Sequence, residues 1–131
     1  MTGLDTNILI RYLMQDDAKQ SAVANRVVGA LTAEQPGYLT LVSVVEIEWV
    51  LSGPYDLKPP QIIAALEGLL RAPEMIVERA ETVWRALRIF ASAKADFADC
   101  LIERCTAAAG CGRTLTFDVA AAKRCGMVSA T

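Results

Sequence analysis

Residues 1–14 read MTGLDTNILIRYLM, and the reading of this stretch decides the fold. A short apolar run over 1–4 ends on an acid, Asp5. Thr6, a good capping residue, then opens a run over 7–14 whose apolar residues recur at helical spacing. A strand that gives way at once to a helix is the start of a β–α unit. The pattern returns along the chain. A strand over 38–41 follows the turn at Pro36-Gly37, and Ser43 caps a helix over 44–51 that Gly53-Pro54 ends. A strand over 75–77 precedes a helix over 80–92, and a strand over 113–117 precedes a short helix over 119–125. Further helices are expected from Asp16 or Asp17 to about residue 31, over 61–71 and over 97–109, with an edge strand at 127–128. Such alternation predicts one α/β domain spanning 1–131. Its core would be a mainly parallel central sheet of four to five strands with helices on both faces.

Four acids fall inside apolar surroundings. Asp5 follows Gly3-Leu4, Glu46 lies within SVVEIEWVL, Asp99 within ADFADCLI, and Asp118 closes TLTF. A carboxylate buried in such a setting costs several kcal/mol unless a cation or a hydrogen-bond network compensates it. Sites in parallel α/β sheets form beyond the carboxyl ends of the strands. Asp5 and Asp118 each follow a strand, and Glu46 sits near the start of the helix after the second strand. Asp96, Asp99 and Glu103, at i, i+3 and i+7, share one helical face. If these acids converge, a divalent metal held by oxygen ligands is the simplest compensation, and it points to chemistry on phosphate esters.

Each acid also has a purely structural reading. Asp5 and Asp118 stand where helix caps stand. Glu46 comes three residues after Ser43, the S-x-x-E spacing of a capping box. Asp96 and Asp99 flank the first turn of a helix, whose positive end favours them. The functional reading rests on all of them falling at one edge of the sheet.

Composition excludes several classes. The apolar runs are too short or too interrupted by charge to cross a bilayer, and the first residues lack the basic segment of a signal peptide, so a cytoplasmic protein is expected. Net charge of −2 provides no global basic face for nucleic acid, although bound metal would cancel negative charge locally. Cys100, Cys105, Cys111 and Cys125 have no CxxC spacing and no histidine to join them, and read as small apolar residues. A mean hydropathy of +0.32 is high for a soluble monomer. Together with Ile8, Leu9, Tyr12, Leu13, Trp49, Leu51 and Tyr55 near candidate surface elements, it suggests a homodimer.

GLDTNILIRYL, SVVEIEWVL, ADFADCLI and TLTFDVAAAK, in this order, resemble the successive motifs of PIN domains, and more narrowly those of VapC-type toxins of toxin–antitoxin pairs. The resemblance covers essentially the whole chain. It implies that Asp5, Glu46, Asp99 and Asp118 are catalytic acids that bind Mg²⁺ or Mn²⁺. Asp96 would be an additional metal-site acid, with Thr6, Asn7, Ser43 and Thr116 as polar support. It further implies an RNA substrate, single-stranded or in a loop, cut to a 3′-hydroxyl and a 5′-phosphate. A cognate antitoxin protein would lay apolar side chains beside the acids. Cys100 and the charged Glu103-Arg104 depart from the small or polar residues usual there, so different helix packing is expected.

No histidine exists to serve as base, and no lysine falls in the motifs, so metal-bound water is the expected nucleophile. Arg11, Arg85, Arg88 and Lys94 are candidates for phosphate contacts. Two other readings compete. A phosphorelay receiver domain also binds Mg²⁺ through strand-end acids, but it needs adjacent acids after the first strand and a lysine after a late one. A PIN-like module that binds without cutting would differ only in an assay.

Overall fold

At Gly37 the chain has room for a hydrogen and nothing larger: a Cβ there would lie 2.7 Å from Leu4 Cδ1 and 2.9 Å from Leu31 Cδ1. The computed structural model, which describes residues 1–131, places this glycine at the head of a central strand. The chain divides into two compact units, Met1–Glu78 and Arg79–Thr131.

In the first unit, β1 (Thr2–Gly3), β2 (Gly37–Leu39) and β3 (Met75–Val77) form a parallel sheet in the order β1-β2-β3. Thr2 pairs with Gly37, and Leu39 with Val77. Helices α1 (Thr6–Met14) and α2 (Ala18–Gly29) connect β1 to β2; α3 (Leu41–Ser52) and α4 (Pro59–Arg71) connect β2 to β3. Their buried residues follow the helical period: Thr6, Leu9 and Ile10 in α1, and Ile62, Leu66 and Leu69 in α4. Gln15 ends α1 with a left-handed φ of 54°, and its side-chain amide exchanges hydrogen bonds with Asn25 of α2 at 2.7 and 3.0 Å.

The second unit holds α5 (Ala80–Ala93), α6 (Phe97–Ala108), β4 (Leu115–Thr116), α7 (Val119–Arg124) and β5 (Val128–Ser129). Val83, Ala86, Leu87 and Phe90 form the buried stripe of α5, and Phe90 meets Phe97 of α6 edge to face at 5.7 Å. Strands β4 and β5 pair in parallel as a separate two-stranded sheet.

The α/β class and the parallel sheet match expectation. The single sheet of four to five strands does not: the five strands divide into three and two. The run Thr114–Phe117 is not a buried central strand, because Leu115 and Phe117 remain 53% and 85% exposed. Three helix starts also differ. Asp5, not Thr6, caps α1. Thr40, not Ser43, caps α3, because β2 stops at Leu39. Helix α4 begins two residues early on Pro59-Pro60, whose fixed φ suits a first helical turn. Of the apolar residues expected near the surface, Leu9 and Leu51 are fully buried and Trp49 is 68% exposed.

Two glycine substitutions separate packing from chain entropy. Gly37→Ala should lower unfolding free energy by about 1–3 kcal/mol, since Leu4 and Leu31 must be displaced. Gly68→Ala, in mid-α4 with open space around it, should raise it by roughly 0.5–1 kcal/mol. Denaturant titration gives both signs, and equal effects would refute the close approach at Gly37.

Candidate functional site

The acids of the first unit meet at the carboxyl end of β1. Leu4 is buried, and the next residue turns out of the sheet into α1. Asp5, extended at φ −77° and ψ 158°, caps that helix, and its Oδ1 accepts from Thr6 N at 2.7 Å. Thr6 is buried, and its hydroxyl donates to Glu46 Oε1 of α3 at 2.7 Å. This one bond ties the second carboxylate to the residue beside the first. Asp5, Thr6, Asn7, Ile10, Arg11, Glu46, Val50 and Tyr55 line an open cleft of about 470 Å³.

Glu46 does not belong to a capping box. With Thr40 as the cap, Ser43 N bonds Thr40 Oγ1 at 3.1 Å, and Glu46 lies beyond the first turn. The capping-box reading of Glu46 therefore fails. For Asp5 the cap is real, yet it occupies one carboxylate oxygen and leaves Oδ2 for other work. Both acids are exposed, so the expected burial cost does not apply to them.

A cationic wall faces the same cleft. Arg11 Nη1 donates to Asp16 Oδ1 and to Tyr55 Oη, each at 3.1 Å, and Tyr55 Oη donates to Asp16 Oδ2 at 2.7 Å. The Tyr55 bond, reinforced by Arg11, holds Asp16 below the usual carboxylate range. Tyr55 was read from sequence only as a surface aromatic. Nothing local signals its place, because its partners stand 39 and 44 residues away.

In the second unit, Asp96 caps α6 by accepting from Asp99 N at 3.0 Å, and Asp118 caps α7 by accepting from Ala121 N at 2.9 Å. Thr116 Oγ1 accepts from Asp118 N at 3.0 Å and so fixes the turn into that helix. Asp99 is half-buried. Burial first, then the like charges of Asp96 and Asp118, pushes its carboxyl above the ordinary range. Behind it, Cys100 is buried with Sγ 3.6 Å from Cys125 Sγ, and its thiol is pushed up to about 12, chiefly by burial. These two cysteines act as neutral apolar packing, and none of the four cysteines forms a disulfide. Glu103 does not extend the acid face: it is buried and paired with Arg104 Nε at 2.6 Å. The departure at Glu103-Arg104 is thus an internal ion pair. Arg85 pairs with Glu81 on its own helix at 3.4 Å, and the backbone oxygen of Lys94 accepts from Arg124 at 3.0 Å.

The five sequence-identified acids thus stand as Asp5 and Glu46 in one unit and Asp96, Asp99 and Asp118 in the other. No three carboxylate or thiol side chains come together here as a set of metal ligands. Their donor chemistry is nonetheless that of a hard-cation site, since every candidate ligand is a carboxylate oxygen.

No helix is long and apolar enough to cross a membrane. No curated protein and no solved structure matches the chain. The family model for the PIN domain matches residues 4–126, a span that takes in all five acids and most of each unit. The chain belongs to the PIN domain family.

Proposed function

We propose that this chain is a Mg²⁺- or Mn²⁺-dependent endoribonuclease and the toxin of a VapC-type toxin–antitoxin pair, acting as one domain across residues 1–131. PIN domains are generally nucleases, which supports phosphodiester hydrolysis. The observation that carries the reading is the Thr6–Glu46 hydrogen bond, which holds two strand-edge carboxylates in one open cleft. A receiver-like domain has no comparable support: a single acid follows β1, and the chain belongs to another family.

Asp5 and Glu46 in the first unit, and Asp99 and Asp118 in the second with Asp96 beside them, are the carboxylates that would bind metal. When bound, such an ion stabilises charge on the phosphate and lowers the pKa of water. The protein's own part is orientation and proton traffic. Thr6 Oγ1 fixes Glu46, and the cap bonds fix Asp5 and Asp118. With no histidine in the chain, a carboxylate is the proposed acceptor of the attacking water's proton. RNA leaving with a 3′-hydroxyl and a 5′-phosphate is the product expected.

Val42 and Trp49 lie on the same face of α3 as Glu46, four residues before and three after it, and are 69% and 68% exposed. This apolar flank beside an acid suits an antitoxin segment that places apolar side chains there and a cation at Glu46. Exposed Leu115, Phe117 and Val119 support a homodimer, which light scattering at micromolar concentration would reveal and a monomer would refute. Four cysteines outside any disulfide suit a reducing, cytoplasmic compartment.

RNA cleavage should require Mg²⁺ or Mn²⁺ and stop in excess EDTA. Thr6→Val keeps the shape of the side chain but releases Glu46, so activity should fall by roughly 10–100-fold with the circular dichroism unchanged. Glu46→Gln should lose both turnover and metal affinity. Wild-type turnover in either variant would remove Glu46 from the site.

Asp99 gives a pH signature. A carboxyl with a raised folded pKa binds its proton more tightly when folded, so its contribution to stability is complete below the ordinary 3.8 and is lost as pH rises through the raised value. In the metal-free protein, Asp99→Asn should therefore have a higher Tm than wild type at neutral pH, with the difference vanishing below 3.8. Added Mg²⁺ should raise the wild-type Tm more than that of the variant. A Tm difference independent of pH would sink the electrostatic account.

A further inference from the structure

We propose that the groove between α1 and α2 is a backbone-phosphate subsite for the RNA strand, joined to the acid cleft through Arg11. The inference rests on the ribonuclease reading and extends it to a path for the substrate. Asn7, Ile8 and Arg11 of α1 face Lys19, Gln20 and Val23 of α2 across a depression of about 290 Å³. Each trio has i, i+1, i+4 spacing, so each is one continuous helical face. Asn7 and Arg11 also line the acid cleft, so the two depressions share a wall and a strand passing from one to the other crosses Arg11.

The groove is built to offer donors. Arg11 Nη1 is committed to Asp16 and Tyr55, and Nε donates to Gln20 Oε1 at 2.7 Å. These bonds orient the guanidinium and leave Nη2 for a ligand. Gln20 spends its oxygen on Arg11 and presents its NH₂. Lys19 makes no ion pair, and no carboxylate lines the groove. The unpaired Lys19, Arg11 with Asp16 on its far side, and two amides favour an anion in a groove that no carboxylate lines, while Ile8 and Val23 give an apolar floor for a ribose or base face. A chain of net charge −2 has no long-range attraction for RNA, so binding would rest on local contacts of this kind.

The test is fluorescence anisotropy of a labelled single-stranded oligoribonucleotide in EDTA, where nothing is cut, across a range of salt concentration. Lys19→Ala should weaken binding roughly three- to tenfold and reduce the salt slope by about one. Arg11→Lys, which keeps the charge but not the fork, should weaken it as well. Arg71→Ala on α4, ion-paired with Glu67, removes the same charge elsewhere and should change neither quantity. Lys19→Ala binding identical to wild type, or wild type binding no RNA, would overturn the subsite. Cleavage in Mg²⁺ is read separately. If wild type still cuts while Lys19→Ala binds normally, only the subsite falls; if wild type neither binds nor cuts, the ribonuclease reading falls with it.

Discussion

The first N–H groups of a helix must find acceptors, and in this chain that requirement places most of the candidate site. Asp5, Asp96 and Asp118 each cap a helix with Oδ1. Two of them stand two residues beyond a strand's last residue, and a helix that starts near a strand's carboxyl end puts its cap at the edge where parallel α/β proteins do their chemistry. A carboxylate has two oxygens, so one can satisfy the helix while the other faces outward. The structural and functional readings of these acids are therefore not rivals. Replacing one removes a cap worth about 1 kcal/mol along with a candidate ligand.

Glu46 shows the opposite arrangement. It caps nothing, and its position depends on Thr6, a buried hydroxyl 40 residues away in sequence. Asp99 is different again, half-buried against neutral thiols and beside two like charges. Without a cation this unit is electrostatically strained, and that strain is a reserve a bound metal would release. A carboxylate held in this way weakens the fold, and on the proposed reading metal binding would offset that loss.

Local patterns made much of this legible. The strand–acid–helix succession at 1–14 exposed the α/β class, and acids after apolar runs marked β1 and β4 correctly as strand ends. Caps were less certain: Ser43 looked like one because the preceding strand was expected to reach 41, whereas β2 ends at Leu39 and Thr40 takes the role. The division of the strands into three and two was not legible, since a two-residue strand carries too few residues to show whether it is buried. Least visible was the Arg11–Asp16–Tyr55 triangle. Asp16 read as a helix start and Tyr55 as surface, and only the fold brings them to one guanidinium.

That triangle bears on how an acidic protein handles a polyanion. At long range the net charge of −2 repels RNA slightly, and clustered carboxylates make the approach to the cleft worse. A mobile arginine would gain little there, because ordering it would offset much of its attraction to a phosphate. Arg11 is already ordered by Asp16, Tyr55 and Gln20, so that cost is met in folding. Asp16 cancels part of the charge, but it does so on the Nη1 side and fixes the plane of the fork. What remains is direction rather than net charge. On the proposed reading, a directed donor at the shared wall of two depressions would set the register of a bound strand relative to the acids, which is the quantity a hydrolytic site most needs.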